Sequence, residues 1–205
     1  MNAFSAVLHV DRASADVLGV RPLLDERSRF MDTVEALSDA DFDSGRTLCS
    51  RWAPRDVLAH LIGTGEPVAY LRGALRVNAV NAEMVTAARR LSRGELTARG
   101  RLWAERPSMS NAVAARFLLG DVAVHHQDVL RGLGRIRDVP PAAAAAILRE
   151  GVVLSTGTRR NLLRYRVEPV DGPTLGRGRA VRGTSEALGL WLAGRKGLET
   201  ELEFA

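Results

Sequence analysis

The sequence predicts a mainly α protein, a four-helix bundle followed by a small C-terminal α/β module. Two observations carry that reading. Apolar residues recur at three- and four-residue spacing through the first two-thirds of the chain, and after LGRIRDVPP the pattern changes to short alternating runs punctuated by glycine. A length of 205 residues with 46% apolar and 26% charged content gives room for one large domain, or a domain with a small appendage, and a real core. The bundle is expected over residues 1–140 and the module over 141–205, packed together because no low-complexity linker lies between them.

Taken in order, residues 1 to 15 carry only scattered apolar positions, and Leu23, Leu24, Phe30, Met31, Val34 and Leu37 then define a first amphipathic helix. SDADFDSGRTLCSRW reads as turn. Pro54 and Asp56 suit the first turn of a second helix through VLAHLIG, which Gly63, Gly65 and Pro67 break or bend. A third helical segment spans NAEMVTAARRLSRGELTARGRLWAE, with Gly94 as its weak point. Pro107 and Ser108 punctuate before a fourth at about residues 110 to 132. In the module, an alanine-rich helix starts near Pro141, and YRVEPV and RAVRG read as strands separated by the turn DGPTLGRG. Thr184 caps the helix SEALGLWLAG, Gly194 stands where a C-cap glycine belongs, and ETELEFA alternates as a final strand does.

Composition excludes several classes of function. No apolar run approaches the ~20 residues that span a bilayer, and MNAFSAVLHVDRAS lacks the basic and apolar regions of a secretory signal, so a cytoplasmic, non-membrane protein is expected. The net charge is +5 and the pI about 10.5, yet all basic residues but Lys196 are arginines dispersed among acids. That is no nucleic-acid stripe. Cys49 is the single cysteine, which rules out an intramolecular disulfide and a cysteine-rich zinc site.

Chemistry concentrates in ARFLLGDVAVHHQDVLRGLG. On a helical wheel Phe117, Leu118, Val122 and Val129 form an inward stripe, and Asp121 and His125 fall inside it. A carboxylate and an imidazole four residues apart point together into apolar surroundings, where an unpaired carboxylate is costly. Two readings satisfy it: a divalent ion chelated from one helix face, or an Asp–His hydrogen bond in the core. An ion needs a third donor. His9 lies in the weakly patterned start and His126 points about 100 degrees away from His125, which leaves His60, on the flank of Val57, Leu61, Val68 and Leu71. Three protein ligands leave an open position, as catalytic zinc sites do, whereas the plain alternative makes His60 a hydrogen-bonded core residue. Asp128 either orients a ligand or pairs with Arg131.

LCSRWAPRDVLAHLIG, with Trp52 eight residues before His60, resembles the first signature of the mycothiol-dependent maleylpyruvate isomerase family of the DinB-like superfamily. VHHQDVLRGLG resembles its second signature, and VRGTSEALGLWLAGR its small C-terminal domain, so the likeness spans most of residues 20 to 195. The resemblance implies a metal, zinc by expectation, held by His60, Asp121 and His125, with mycothiol as cofactor or co-substrate. The family pattern has Glu at the acidic position, where Asp121 is one methylene shorter. The implied enzyme uses the thiolate to add to a small electrophile, ending in isomerisation or S-transfer, and Cys49 need not take part. Arg182 and Arg195 are the candidate cofactor- or carboxylate-binding residues, with surface solvation as their plain reading. A non-catalytic metal-binding or regulatory DinB-like protein is the alternative.

Overall fold

The computed structural model describes residues 20–49, 51–64, 77–105 and 114–205. Eight helices appear among them: α1 (Val20–Glu35), α2 (Asp39–Ser44), α3 (Pro54–Thr64), α4 (Val77–Ala88), α5 (Arg93–Glu105), α6 (Ala115–Gly132), α7 (Pro141–Ser155) and α8 (Ser185–Leu192). A small sheet, in the order β2-β1-β3-β4, is built from β1 (Tyr165–Pro169), β2 (Leu175–Gly176), β3 (Arg179–Gly183) and β4 (Glu203–Phe204). The fold is the expected helical bundle with a small α/β module. The expectations at His9, Gly65, Pro67, Val68, Leu71, Pro107 and Ser108 lie outside the described residues.

Local chemistry explains where the elements begin and end. α1 buries Leu23, Phe30, Met31 and Val34 on the predicted face. The stretch expected as turn holds the short α2, because Ser38 caps it by accepting from Asp41 N. Asp56 accepts from Ala53 N at the start of α3. The single helix expected across residues 81–105 is two, and the break falls at Ser92 rather than Gly94. There Ser92 and Glu95 form a reciprocal capping box, Glu95 N donating to Ser92 Oγ and Ser92 N to Glu95 Oε2, which starts a new helix.

Two cores meet at α6. Phe30, Met31, Leu58, Leu61, Val122 and Val129 belong to the bundle core. Ala123 and Val124 of the same helix join Ile147, Val167, Val181, Leu188 and Trp191 in the module core. From Leu119 to Leu130 α6 is buried on nearly all sides, so one inward stripe understates it. The stripe also misplaces Phe117, which is 66% exposed in the helix's first turn.

In the module, Thr184 caps α8 by accepting from Ala187 N, as expected. Gly194 sits at φ +87° after the helix, and Arg195 N donates to Leu190 O, closing a Schellman turn that fixes where Arg195 leaves the helix. The strands are not the simple hairpin that a connecting turn implies. β1 pairs parallel with β3, from Tyr165 opposite Arg179 to Pro169 opposite Gly183, while β2 pairs antiparallel on the other edge of β1. The chain therefore rounds the start of β1 in a tight crossing at Gly176 and Gly178. Gly178 has φ +102°, and a Cβ there would stand 2.3 Å from Arg164 O, so only glycine passes. The ETELEFA strand shrinks to Glu203–Phe204, antiparallel to β3, after a turn of 3-10 helix at Glu199–Glu201.

Candidate metal centre

α3 and α6 bring His60, Asp121 and His125 together. Asp121 Oδ1 lies 3.7 Å from His60 Nε2 and 3.5 Å from His125 Nε2, and one donor atom from each residue fits within 4.8 Å of the others. A tetrahedral ion with bonds of about 2.0–2.1 Å spaces neighbouring donors roughly 3.3 Å apart, so this donor set fits a divalent ion after small side-chain shifts. Both histidines are buried, and Asp121 keeps 27% of its side chain exposed, which leaves the group an approach from outside.

Behind these residues lies a network joining the two halves. Asp128 Oδ2, fully buried, lies 2.9 Å from His125 Nδ1 and accepts from the Cys49 thiol at 3.0 Å. Arg195 grips the same carboxylate in bidentate fashion, Nη2 to Oδ2 at 2.7 Å and Nε to Oδ1 at 3.0 Å. Arg131 is not the partner of Asp128, because it pairs with Glu186 and Glu201. By holding Nδ1–H of His125, Asp128 fixes the tautomer whose Nε2 faces Asp121.

A folded loop places the remaining pieces. The Thr47 hydroxyl accepts from Cys49 N and donates to Trp52 O at 2.7 Å, and Leu48 N donates to Asp128 O, tying the loop to α6. Trp52 is thereby laid over both histidines, with ring centroids 4.9 Å from His60 and 5.8 Å from His125. His60 Nδ1 is buried without a hydrogen-bond partner among the described residues.

Electrostatics follow from this packing. Burial alone lowers the pKa of His125, but Asp128, Cys49 and Asp121 outweigh it and hold the imidazole at about 10. Burial would raise both carboxylates. His60 and His125 instead hold Asp121 below the usual range, and His125 and Arg195 do the same for Asp128.

Of the two arginines singled out in the sequence, Arg195 is at the site, engaged with Asp128 and with its Nη2 3.8 Å from Cys49 Sγ. Arg182 stands exposed on β3, in register with Glu203 and Glu168, outside the cluster. Cys49 belongs to the network after all. Its position in an irregular loop gave no periodic signal, although it lies with Trp52 inside the first signature string. His126 was set aside because it points away from His125, and its own surroundings went unread. It is buried against Glu26 Oε1 at 2.8 Å and Thr33 Oγ1 at 2.8 Å, and Arg137 closes on Glu26 from the other side.

Beside Cys49 and Trp52 opens a cleft of about 940 Å³, also lined by Arg46, Arg51 and Lys196. Arg55 and Arg89 on its wall are neutralised by Asp43 and Asp56. Arg46, Arg51 and Lys196 have no acidic partner among the described residues.

A helical bundle that gathers two histidines and an aspartate, clamped to a small α/β module by a half-buried arginine, defines a bundle-plus-module fold with a candidate metal centre. Residues 23–104 match the family model described as the mycothiol maleylpyruvate isomerase N-terminal domain. Two solved structures share the fold over 92% of each chain at 13% identity. One is the mycothiol-dependent maleylpyruvate isomerase, with a TM-score of 0.64, and the other is a histidine-to-alanine mutant of it, with a TM-score of 0.65. No curated protein matches the chain in sequence. No described helix is long and apolar enough to cross a membrane.

Proposed function

We propose that the chain is a metal-dependent enzyme that uses a low-molecular-weight thiol, mycothiol by family likeness, to isomerise a small anionic electrophile. The observation that carries this reading is the donor set of His60, Asp121 and His125, with Asp128 fixing the His125 tautomer from behind. A divalent ion, with zinc as the first choice for two imidazoles and a carboxylate, supplies Lewis acidity that lowers the pKa of a coordinated thiol. The chain's own residues do the rest. Asp128 and Trp52 hold the two imidazoles in place, and Arg195 balances the Asp128 charge so that the carboxylate stays ionised in a buried position. Arg46, Arg51 and Lys196 line the cleft in which an anionic substrate finds its counter-charges.

Thiolate addition to the electrophile, rotation about the resulting single bond and release of the thiol give isomerisation, whereas retention of the thioether gives S-transfer. The likeness to the mycothiol-dependent maleylpyruvate isomerase favours the first. Cytoplasmic placement and a unit boundary near residue 140 complete the proposal. The test is sequential: elemental analysis of untagged protein, thiol titration into zinc-loaded and zinc-free forms, then turnover of maleylpyruvate with mycothiol. Zinc with metal-dependent thiol binding supports the enzyme. Zinc without thiol binding favours a non-catalytic metal protein, and neither removes the proposal.

A further inference from the structure

We propose that the C-terminal half carries a second small-molecule site, separate from the metal centre, for an apolar molecule with one carboxylate. A cavity of about 540 Å³ lies between α7 and the β1–β2 turn, within the roughly 300–1,000 Å³ of small-molecule sites. Its wall is largely aliphatic, with Val139, Ala144, Leu148, Val152 and Leu175 facing the space. Three residues bring polar groups to it: Arg149, Asp171 and Ser185.

Those polar groups differ in how far they are already satisfied. Asp171 Oδ1 accepts from both the backbone N and the hydroxyl of Ser185, each at 2.8 Å, so its charge sits against the positive N-terminal end of α8. Arg149 is compensated less, by a carbonyl and the charge of Glu150 rather than by an ion pair. Its guanidinium donates to the carbonyl of Arg116, and no carboxylate forms an ion pair with it among the described residues. Burial, and then the neighbouring charge of Arg116, lower its pKa against the weaker pull of Glu150, as befits a cation short of a counter-charge. An aliphatic chamber with one guanidinium that lacks an ion-pair partner among the described residues complements an amphiphilic anion, whose carboxylate can meet the guanidinium fork while its apolar body leaves water. Leu148, Arg149 and Val152 of α7 line this cavity, whereas Glu150 of the same helix lies against Gly120 of α6 beside the metal ligands. The helix thus stands between two sites.

The test uses the full-length protein and two probes of equal length, octanoate and octanol, titrated by calorimetry. One octanoate per chain is expected, bound at least ten-fold more tightly than octanol. Arg149→Gln should erase that preference while keeping the weaker binding. Ala145→Trp, at an exposed cavity-lining position that fills the space without entering the core, should abolish both, and Leu175→Trp serves as the second filling variant if the first melts early. Zinc removal should leave octanoate affinity unchanged. The proposal is overturned by absence of saturable binding, by equal affinity for the two probes, by binding that survives both filled variants, or by loss of binding on chelation, which would put the carboxylate on the metal.

Discussion

Replacing Asp128 by Asn removes one charge from the most connected side chain of the site and leaves its shape. The carboxylate accepts from Cys49 at 3.0 Å and twice from Arg195, and it faces His125 Nδ1 at 2.9 Å, with no exposed surface through which water could substitute. Removing one partner of a buried ion pair costs about 3–5 kcal/mol. The amide keeps one acceptor oxygen, and a retained hydrogen bond of about 1 kcal/mol brings the expected loss of stability to roughly 2–4 kcal/mol in the zinc-free protein. Its NH₂ group then confronts donors on His125 or Arg195, so the His125 ring is no longer held with Nε2 toward Asp121. Loss of such an outer partner lowers metal affinity about 10–100-fold, or roughly 1.4–2.8 kcal/mol. Urea unfolding of the zinc-free protein reads the first quantity, and competition with a chromophoric chelator reads the second. If stability falls but zinc affinity stays within about two-fold of the parent, Asp128 ties the two halves together without orienting His125, and the reasoning about the tautomer is wrong.

Other outcomes follow from the same geometry. His60→Ala and His125→Ala should each purify with little zinc, whereas an adjacent control, Thr64→Ala, should retain it; full occupancy in either histidine variant removes the ligand assignment. Because His125 holds a proton up to about pH 10, zinc binding at neutral pH should release close to one proton, seen as a calorimetric heat that depends on buffer ionisation enthalpy. Gly178→Ala should cost about 1–3 kcal/mol, and more if the crossing cannot shift, because the new methyl meets Arg164 O at a positive φ; a change below half a kcal/mol in urea unfolding would contradict the crossing. Acid should destabilise the buried Glu26–His126 pair. Burial and then Arg137 keep His126 below its ordinary pKa despite Glu26, so below about pH 6.5 the unfolded chain takes a proton that the native imidazole refuses. Glu26, which burial would raise, is held low by His126 and Arg137, so its contribution is also lost as pH falls. His126→Gln should flatten the decline in stability between pH 7 and pH 5, and an unchanged slope would mean that another group governs it.

Several of these features were legible in the sequence because they are local. The i, i+4 spacing of Asp121 and His125 fixes a shared helix face, and Thr184 and Gly194 bracket α8 through rules that act within a turn. Other features depend on what arrives from elsewhere. α6 is buried nearly all round because the module packs on the face that a wheel assigns to solvent, so a single stripe could not reveal the module contacts of Val124, and it left unread His126, which turns off the stripe toward Glu26 and Thr33 of α1. Cys49 and Arg195 meet Asp128 across 79 and 67 residues, a distance over which periodicity carries no information. The parallel pairing of β1 with β3 was hidden for a different reason. A glycine-rich connection reads as a hairpin until positive-φ glycines are seen to carry the chain around the strand's end.

The Arg195 clamp also sets an order of events during folding. Arg195 reaches Asp128 only once α8 and the turn at Gly194 are in place, because the guanidinium leaves from the end of that helix. The histidines of α3 and α6 can meet as soon as the bundle collapses. The carboxylate that aims one of them acquires its guanidinium only after the strands and α8 have docked. An ion offered to the early bundle therefore meets donors whose orientation is unfinished, and tight capture comes with the arrival of the module. Time-resolved zinc uptake during refolding should lag behind helix formation and coincide with burial of Trp191.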